Sequence, residues 1–263
     1  MSLLVYITGA SSGIGQALAK YYLERDHCVV MVARRTQQLQ EWCDQEGFVK
    51  DRYFIFNADV RDTVAITTAG HQCIAEIGLP DIVIAAAGVS IGVDTEIFDD
   101  IEVMRKLYET NNIGMMATFH PFITGMKTRG SGTLVGVASV AGIRGLAGHG
   151  AYCSSKAAVI GYCESLRVEM YAATGANGVQ VLTILPGFVA TPLTQKNPYV
   201  MPFILTAQEF AERAVRAIEH NKSYVVIPWQ MGVVAKALRI LPNFLFDRLF
   251  SGRKRKLREG ESE

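Results

Sequence analysis

The apolar positions of this chain follow two alternating rhythms. Leu3–Ile7, Cys28–Ala33, Tyr53–Phe56, Asp81–Ala86, Thr133–Ala138, Val179–Leu185 and Tyr224–Ile227 are short runs, apolar at nearly every position. Such runs read as strands buried on both faces. Between them the apolar residues recur at helical spacing, as in Ile14, Ala17, Leu18, Tyr21 and Tyr22. The same spacing, or a helix-prone composition, marks Arg35–Gln45, Thr63–Ile77, a long region Asp99–Arg129, Ala151–Ala173 and Ala207–His220. This alternation predicts an α/β fold: a parallel sheet of about seven strands with helices on both faces. No internal repeat or linker interrupts residues 1–228, and residues 229–263 read as an apolar helix followed by a basic tail.

Composition narrows the function classes. Hydrophobic residues make up 49% and charged residues 19% of 263 positions, which excludes wholesale disorder. Lys plus Arg is 26 against 25 for Asp plus Glu, so no global attraction to nucleic acid is expected. The five cysteines, Cys28, Cys43, Cys73, Cys153 and Cys163, are odd in number and lack C-x-x-C spacing. Neither a disulfide framework nor a metal site is expected, and reduced thiols point to a cytoplasmic location. Met1-Ser2-Leu3 carries no basic start of the kind that opens a signal peptide. The longest apolar stretch, Ile82 to Val93, is too short to span a bilayer and is broken by Gly88, Ser90 and Gly92.

The first strand ends in Thr8-Gly9-Ala10-Ser11-Ser12-Gly13-Ile14-Gly15, and a helix follows at once. Glycines let the backbone turn tightly against a pyrophosphate, and a helix N-terminus offers free N–H groups and a positive dipole end. An NAD site usually carries an acid at the end of the second strand, but here that end reads Ala33-Arg34-Arg35. Two guanidiniums there suit a ribose 2′-phosphate, so NADP(H) is favoured over NAD(H). The alternative is that Arg34 and Arg35 are a solvated loop. Tyr152 and Lys156 stand at i and i+4 of one helix, where an ammonium beside a phenol lowers the phenol pKa towards proton-transfer range. Ser139 lies upstream at the end of the fifth strand, the edge where parallel sheets bind ligands.

These motifs together resemble the short-chain dehydrogenase/reductase family, in its shorter single-domain branch, over about residues 3–228. Gly9, Ser11, Ser12, Gly13, Ile14 and Gly15 match its cofactor loop. Asn57-Ala58-Asp59-Val60 is similar to the segment that holds the adenine. Asn111-Asn112-Ile113-Gly114 is similar to its N-x-x-G, Gly136-Val137-Ala138-Ser139 to its serine strand, and Pro186-Gly187-Phe188-Val189-Ala190-Thr191 to its P-G-x-x-x-T. One departure is plain. The family's N-N-A-G is here Ala85-Ala86-Ala87-Gly88, which removes two amide side chains.

The resemblance implies a Rossmann-like, doubly wound fold and a nicotinamide-dependent oxidoreductase. Asn111, Ser139, Tyr152 and Lys156 would be catalytic. The cofactor loop, Arg34, Arg35, Asp59, Val60, Ala87, Gly88, Tyr152, Lys156, Pro186, Gly187, Val189 and Thr191 would hold the cofactor. The expected reaction is NADPH-dependent reduction of a ketone or aldehyde to an alcohol. Ser139 would polarise the carbonyl, Tyr152 would donate the proton, Lys156 would tune Tyr152 and bind the ribose, and Asn111 would hold a relay water. The alternative is a cofactor-binding sensor or scaffold without turnover.

The family's substrate lid would fall at about 192–206, where Met201, Phe203 and Ile204 suggest an apolar substrate or simply pack the lid onto the sheet. Ile143, Leu146 and His149 are further candidates for pocket lining, with His149 read as a solvent-exposed loop residue. The resemblance also implies a homodimer or homotetramer through the two long helical regions, where Ala157, Ala158 and Gly161 permit close approach. In the tail, Val234, Ala237, Leu238 and Leu241 form an apolar stripe, and Phe244-Leu245-Phe246 and Leu249-Phe250 follow it. Arg253, Lys254, Arg255, Lys256 and Arg258 add positive charge before Glu259, Glu261 and Glu263. An apolar helix beside a polybasic cluster suits peripheral contact with an anionic membrane. A cover over the protein's own pocket or over a partner subunit, with the basic run solvated, is the alternative.

Overall fold

The computed structural model describes residues 2–195, 197–252 and 255–260. Arg253, Lys254, Glu261 and Glu263 of the tail, and Lys196 of the lid segment, lie outside the described residues. Seven strands form one sheet: β1 (Leu4–Thr8), β2 (Cys28–Ala33), β3 (Tyr53–Asn57), β4 (Ile82–Ala85), β5 (Gly132–Val137), β6 (Val179–Pro186) and, beyond two short strands, β9 (Tyr224–Ile227). Their order is β3-β2-β1-β4-β5-β6-β9, and every pairing is parallel. The short strands β7 (Val189–Ala190) and β8 (Leu205–Thr206) pair with each other and frame the lid segment.

Strand residues alternate between two cores, which is why the strands are apolar throughout. Val5, Ile7, Val29 and Met31 face α1 (Gly13–Leu23), α2 (Thr36–Glu46) and α7 (Ala207–Glu219). Tyr6, Val30 and Val83 face α3 (Thr63–Glu76), α5 (Gly114–Arg129) and α6 (Gly150–Thr174). Tyr6 meets Phe122 of α5 at 4.8 Å between ring centroids, and both are fully buried. Helix ends follow local chemistry. Gly47 and Gly130 close α2 and α5 in the left-handed conformation, and a Thr206–Glu209 capping box opens α7.

The long helical region is not uniform. α4 (Asp100–Tyr108) passes into a π turn over Glu109–Ile113 before α5 begins. A π turn inserts one residue into the helical ladder, too small a change for apolar periodicity to register. It places Asn111 with both ends of its amide on the backbone of Val89, Oδ1 accepting at 2.9 Å and Nδ2 donating at 3.0 Å.

The C-terminal part folds back over the carboxyl end of the sheet. α8 (Trp229–Ile240) and α9 (Asn243–Phe250) lay Met231, Val234, Ala235, Leu238, Phe246, Leu249 and Phe250 along a cavity of the protein itself. Trp229, Val233, Ile240 and Phe244 point outwards and are exposed. Residues 255–260 then cross the loop after β4: the Gly92 N–H donates to the Leu257 carbonyl at 3.1 Å, and Lys106 pairs with Glu259 at 2.9 Å. Arg258 grips both oxygens of the buried Asp100 at 2.8 Å. Among the described residues no helix is long and apolar enough to cross a membrane.

Arg258 and the Asp94 N–H hold the Asp100 carboxyl well down, at about 2. An unfolded aspartate titrates near about 3.9, so this tether stabilises the fold above that pH and is lost as pH falls through about 2. Asp100→Asn is expected to speed limited proteolysis of the C-terminal segment several-fold at neutral pH and to lower Tm. The Tm gap to the unaltered protein should close as pH falls towards 2; a gap independent of pH would refute the tether.

Candidate active site

The connections leave β1 towards one face and β4 towards the other, so the loops after these strands part and open a crevice at their carboxyl ends. Gly9 takes φ +69°, and a Cβ on it would lie 2.7 Å from the Ala87 Cα. Only glycine lets the two loops approach so closely. A Cβ on Gly15 would run into the Gly9 carbonyl oxygen. The crevice continues into a groove of about 260 Å³. Gly9, Ser11, Ser12, Gly13, Ile14, Gly15, Arg34, Arg35, Asp59, Val60, Ala87 and Gly88 border one part of it. Ser139, Tyr152, Lys156, Pro186, Gly187, Val189 and Thr191 border the rest.

Of the residues expected to be catalytic or to hold the cofactor, Asn111 alone does not border the groove. Its Nδ2 donates to Ser155 Oγ at 2.9 Å, and a Cβ on Gly88 would lie 3.3 Å from its Oδ1 and 3.4 Å from Lys156 Nζ. The missing Cβ of Gly88 thus leaves room that the asparagine oxygen and the lysine ammonium both face. Ala85 completes β4 in the Ala85-Ala86 departure, pairing with Thr8 and Gly136.

One end of the groove is cationic. Arg35 Nη2 donates to Ser11 Oγ at 3.2 Å and to Ser12 Oγ at 3.5 Å, which ties β2's end to the glycine loop. Arg34 lies 3.4 Å from Asp59, and Arg61 binds the same carboxylate at 2.7 Å. Hydrogen bonding to Arg61 is the main reason that the Asp59 carboxyl is held down, at about 2. Arg61 was missed in the sequence, as were Lys106 and Thr110, which also border the groove. The available signal for Arg61 was its place two residues beyond Asp59, close enough to neutralise it.

At the other end Ser139 lies two residues beyond β5, and its Oγ accepts the Ala141 N–H at 3.2 Å. Lys156 Nζ donates to the Val137 carbonyl at 2.8 Å and lies 6.0 Å from the Tyr152 ring centroid. Burial lowers Lys156 to about 8. Burial also raises the Tyr152 phenol above its ordinary value, and a hydrogen bond with Ser139 opposes this. The expectation that Lys156 lowers the phenol is not met in this arrangement: the net direction is upward, with burial the largest cause, and i, i+4 spacing cannot reveal burial.

Ser139 and Tyr152 also border a second, larger cavity of about 810 Å³. Leu146, His149, Phe188, Tyr199, Val200 and Pro202 line it with α8 and α9. The expected Ile143, Met201, Phe203 and Ile204 do not. Ile143 packs into the core, while Phe203 and Ile204 are exposed. Residues 197–204 form no regular element, so no period tells which side chains turn inwards. His149 is buried, contrary to its reading as a solvent-exposed residue. The lid covers it: its Nδ1–H donates to the Ala147 carbonyl and its Nε2 accepts from the Tyr199 hydroxyl, each at 3.2 Å. That burial holds its pKa below the ordinary histidine value.

Comparison with known proteins gives a consistent result. The family described as short chain dehydrogenase matches residues 3–199. An uncharacterized oxidoreductase of Myxococcus xanthus (strain DK1622) is 37% identical over 241 residues, 92% of this chain and 93% of that protein. The NADP-dependent 3-hydroxy acid dehydrogenase YdfG of Shigella flexneri is 30% identical over 187 residues, 71% of this chain and 73% of that protein. A short chain dehydrogenase from Burkholderia cenocepacia J2315, solved in complex with NADP, superposes with a TM-score of 0.79 at 23% identity, covering 94% of this chain and 97% of its own.

Gly15→Ala is expected to weaken binding of NADPH and NADH alike by at least about tenfold, since the loop must shift away from Gly9. Titration by cofactor fluorescence measures this, with far-ultraviolet circular dichroism unchanged. Undiminished binding would mean that the loop does not hold the dinucleotide.

Proposed function

The chain belongs to the short-chain dehydrogenase/reductase family of oxidoreductases, and on that premise we propose that it reduces the carbonyl group of an apolar ketone or aldehyde with NADPH. The observation that carries this reading is the shared wall. Ser139 and Tyr152 face both the dinucleotide groove and the apolar cavity, so a carbonyl held by them lies between the two. The groove residues fit a dinucleotide: backbone N–H groups at the start of α1 for the pyrophosphate, and glycines where the backbone must approach closely.

NADPH, when bound, supplies the hydride. The Ser139 hydroxyl donates a hydrogen bond to the carbonyl oxygen and stabilises the charge that develops there. Tyr152 gives that oxygen its proton, so that hydride and proton together convert the carbonyl to an alcohol. Lys156, lowered to about 8, exchanges protons near neutrality and resupplies Tyr152. Asn111, held on Val89 and Ser155 behind Gly88, positions the solvent path to Lys156. Arg34 and Arg35 at the cationic end support NADPH over NADH, because guanidinium matches a phosphate bidentately.

Two expected outcomes test this. Tyr152→Phe should retain NADPH binding and lose about 10²- to 10⁴-fold in turnover across a panel of apolar ketones and aldehydes; undiminished turnover would sink the role of the phenol. Arg34→Ala should weaken NADPH by about 10- to 100-fold while leaving NADH within about twofold. Equal weakening of both would contradict a 2′-phosphate contact.

A further inference from the structure

Two cations and no Asp or Glu border the 810 Å³ cavity among the described residues. The first, Arg144, is engaged with the C-terminal segment. It donates to the carbonyls of Leu238, Arg239 and Leu241 and to Asn243 Oδ1, and its guanidinium stacks 4.0 Å over the Phe246 ring. The second, Lys256, has fewer partners. It is 7% exposed, yet its ammonium meets only neutral acceptors, Ser90 Oγ and the Leu193 carbonyl, each at 3.1 Å. An ammonium has three N–H donors, and a buried charge without a counter-charge is costly. The lysine accordingly falls to about 8 through burial and still carries its proton for the most part at neutral pH.

The chain holds this costly group in place by other means. The Gly92–Leu257 hydrogen bond, the Asp100–Arg258 ion pair and the Lys106–Glu259 pair fasten the three residues that follow Lys256. A Cβ on Gly92 would run into the Lys256 carbonyl, so the crossing there is as close as backbone allows. None of these anchors uses the ammonium. The side chain is therefore directed at the cavity, where it faces the same space as Ser139 and Tyr152.

We infer that Lys256 binds the carboxylate of an apolar carbonyl or hydroxy compound, and that the substrate of this cavity is an oxo or hydroxy acid with a hydrocarbon body. One ammonium beside one neutral hydroxyl, Ser90, matches a monoanion rather than a phosphate dianion. A volume of about 810 Å³ is within the range of roughly 300–1,000 Å³ that takes a drug-sized ligand. This inference rests on the reading of the cavity as the substrate site and adds the polar end of the substrate to it.

The test is calorimetric titration of the full-length protein with octanoate and with methyl octanoate, which share a body and differ in charge. The unaltered protein should bind octanoate about 10- to 100-fold more tightly than the ester. Lys256→Met should weaken octanoate by a similar factor and leave the ester within about twofold. Lys256→Arg, which keeps the charge, should retain a preference for octanoate, and Tm values for both variants check that the fold persists. Equal affinity of the unaltered protein for acid and ester, absence of octanoate binding, or equal weakening of both by Lys256→Met would each overturn the assignment. NADPH-dependent turnover of 7-oxooctanoate, which carries both a carboxylate and a ketone, by the unaltered protein is measured alongside. If that turnover is absent while the octanoate preference depends on Lys256, the reductase reading fails and the carboxylate site stands.

Discussion

Parallel pairing of seven strands carries every carboxyl end to one edge of the sheet, and the reversal of connection between β1 and β4 splits that edge open. The close approach of Gly9 to Ala87 makes the opening narrow enough for backbone N–H groups to face a ligand from both loops. Each further element of the site is placed relative to this crevice. Ser139 lies just beyond β5, Tyr152 and Lys156 are in the first turns of α6, and Val189 and Thr191 follow β6. Lys156 is fastened to the Val137 carbonyl of β5, so the helix and the strand edge form a single rigid wall.

Two different physical effects set the charges along that wall. Beside the glycine loop, arginine pairing dominates: Arg61 holds Asp59 ionised. Where the side chains are buried, desolvation dominates. Lys156, Lys256 and His149 are all lowered by burial, and the Tyr152 phenol is raised by it. A cationic groove lies beside a mainly apolar cavity. An anionic dinucleotide suits the former, and an apolar body suits the latter, with Ser139 and Tyr152 at the junction.

The C-terminal segment forms one wall of the cavity. Arg144 comes from the loop between Ser139 and Tyr152, and it binds the last carbonyls of α8 and the face of Phe246 in α9. A cation at a helix C-terminus is favoured by the unsatisfied carbonyls there. One side chain thus couples the catalytic loop to the cavity's outer wall. The chain beyond α9 then returns over the loop after β4 and carries Lys256 inwards.

Much of this was legible in the chain itself. Apolar runs separated by helical periods dictated a parallel sheet with helices on both faces, since side-chain alternation and helical spacing are local properties. The glycine loop, Arg34 and Arg35, Ser139, Tyr152 and Lys156 were legible for the same reason: each belongs to a strand end or a helix start whose place in a parallel sheet is general. The apolar stripe of Val234 and Leu238 was visible too, but not what it covers. Only the folded chain decided that Arg61 joins the groove, that Tyr199 rather than Met201 turns inwards, that His149 is buried, and that Lys256 points into the cavity. It also decided that burial, not the neighbouring ammonium, governs the Tyr152 phenol. These outcomes depend on contacts between segments far apart in sequence and on how deeply each side chain is buried. No periodicity or spacing along the chain encodes either one.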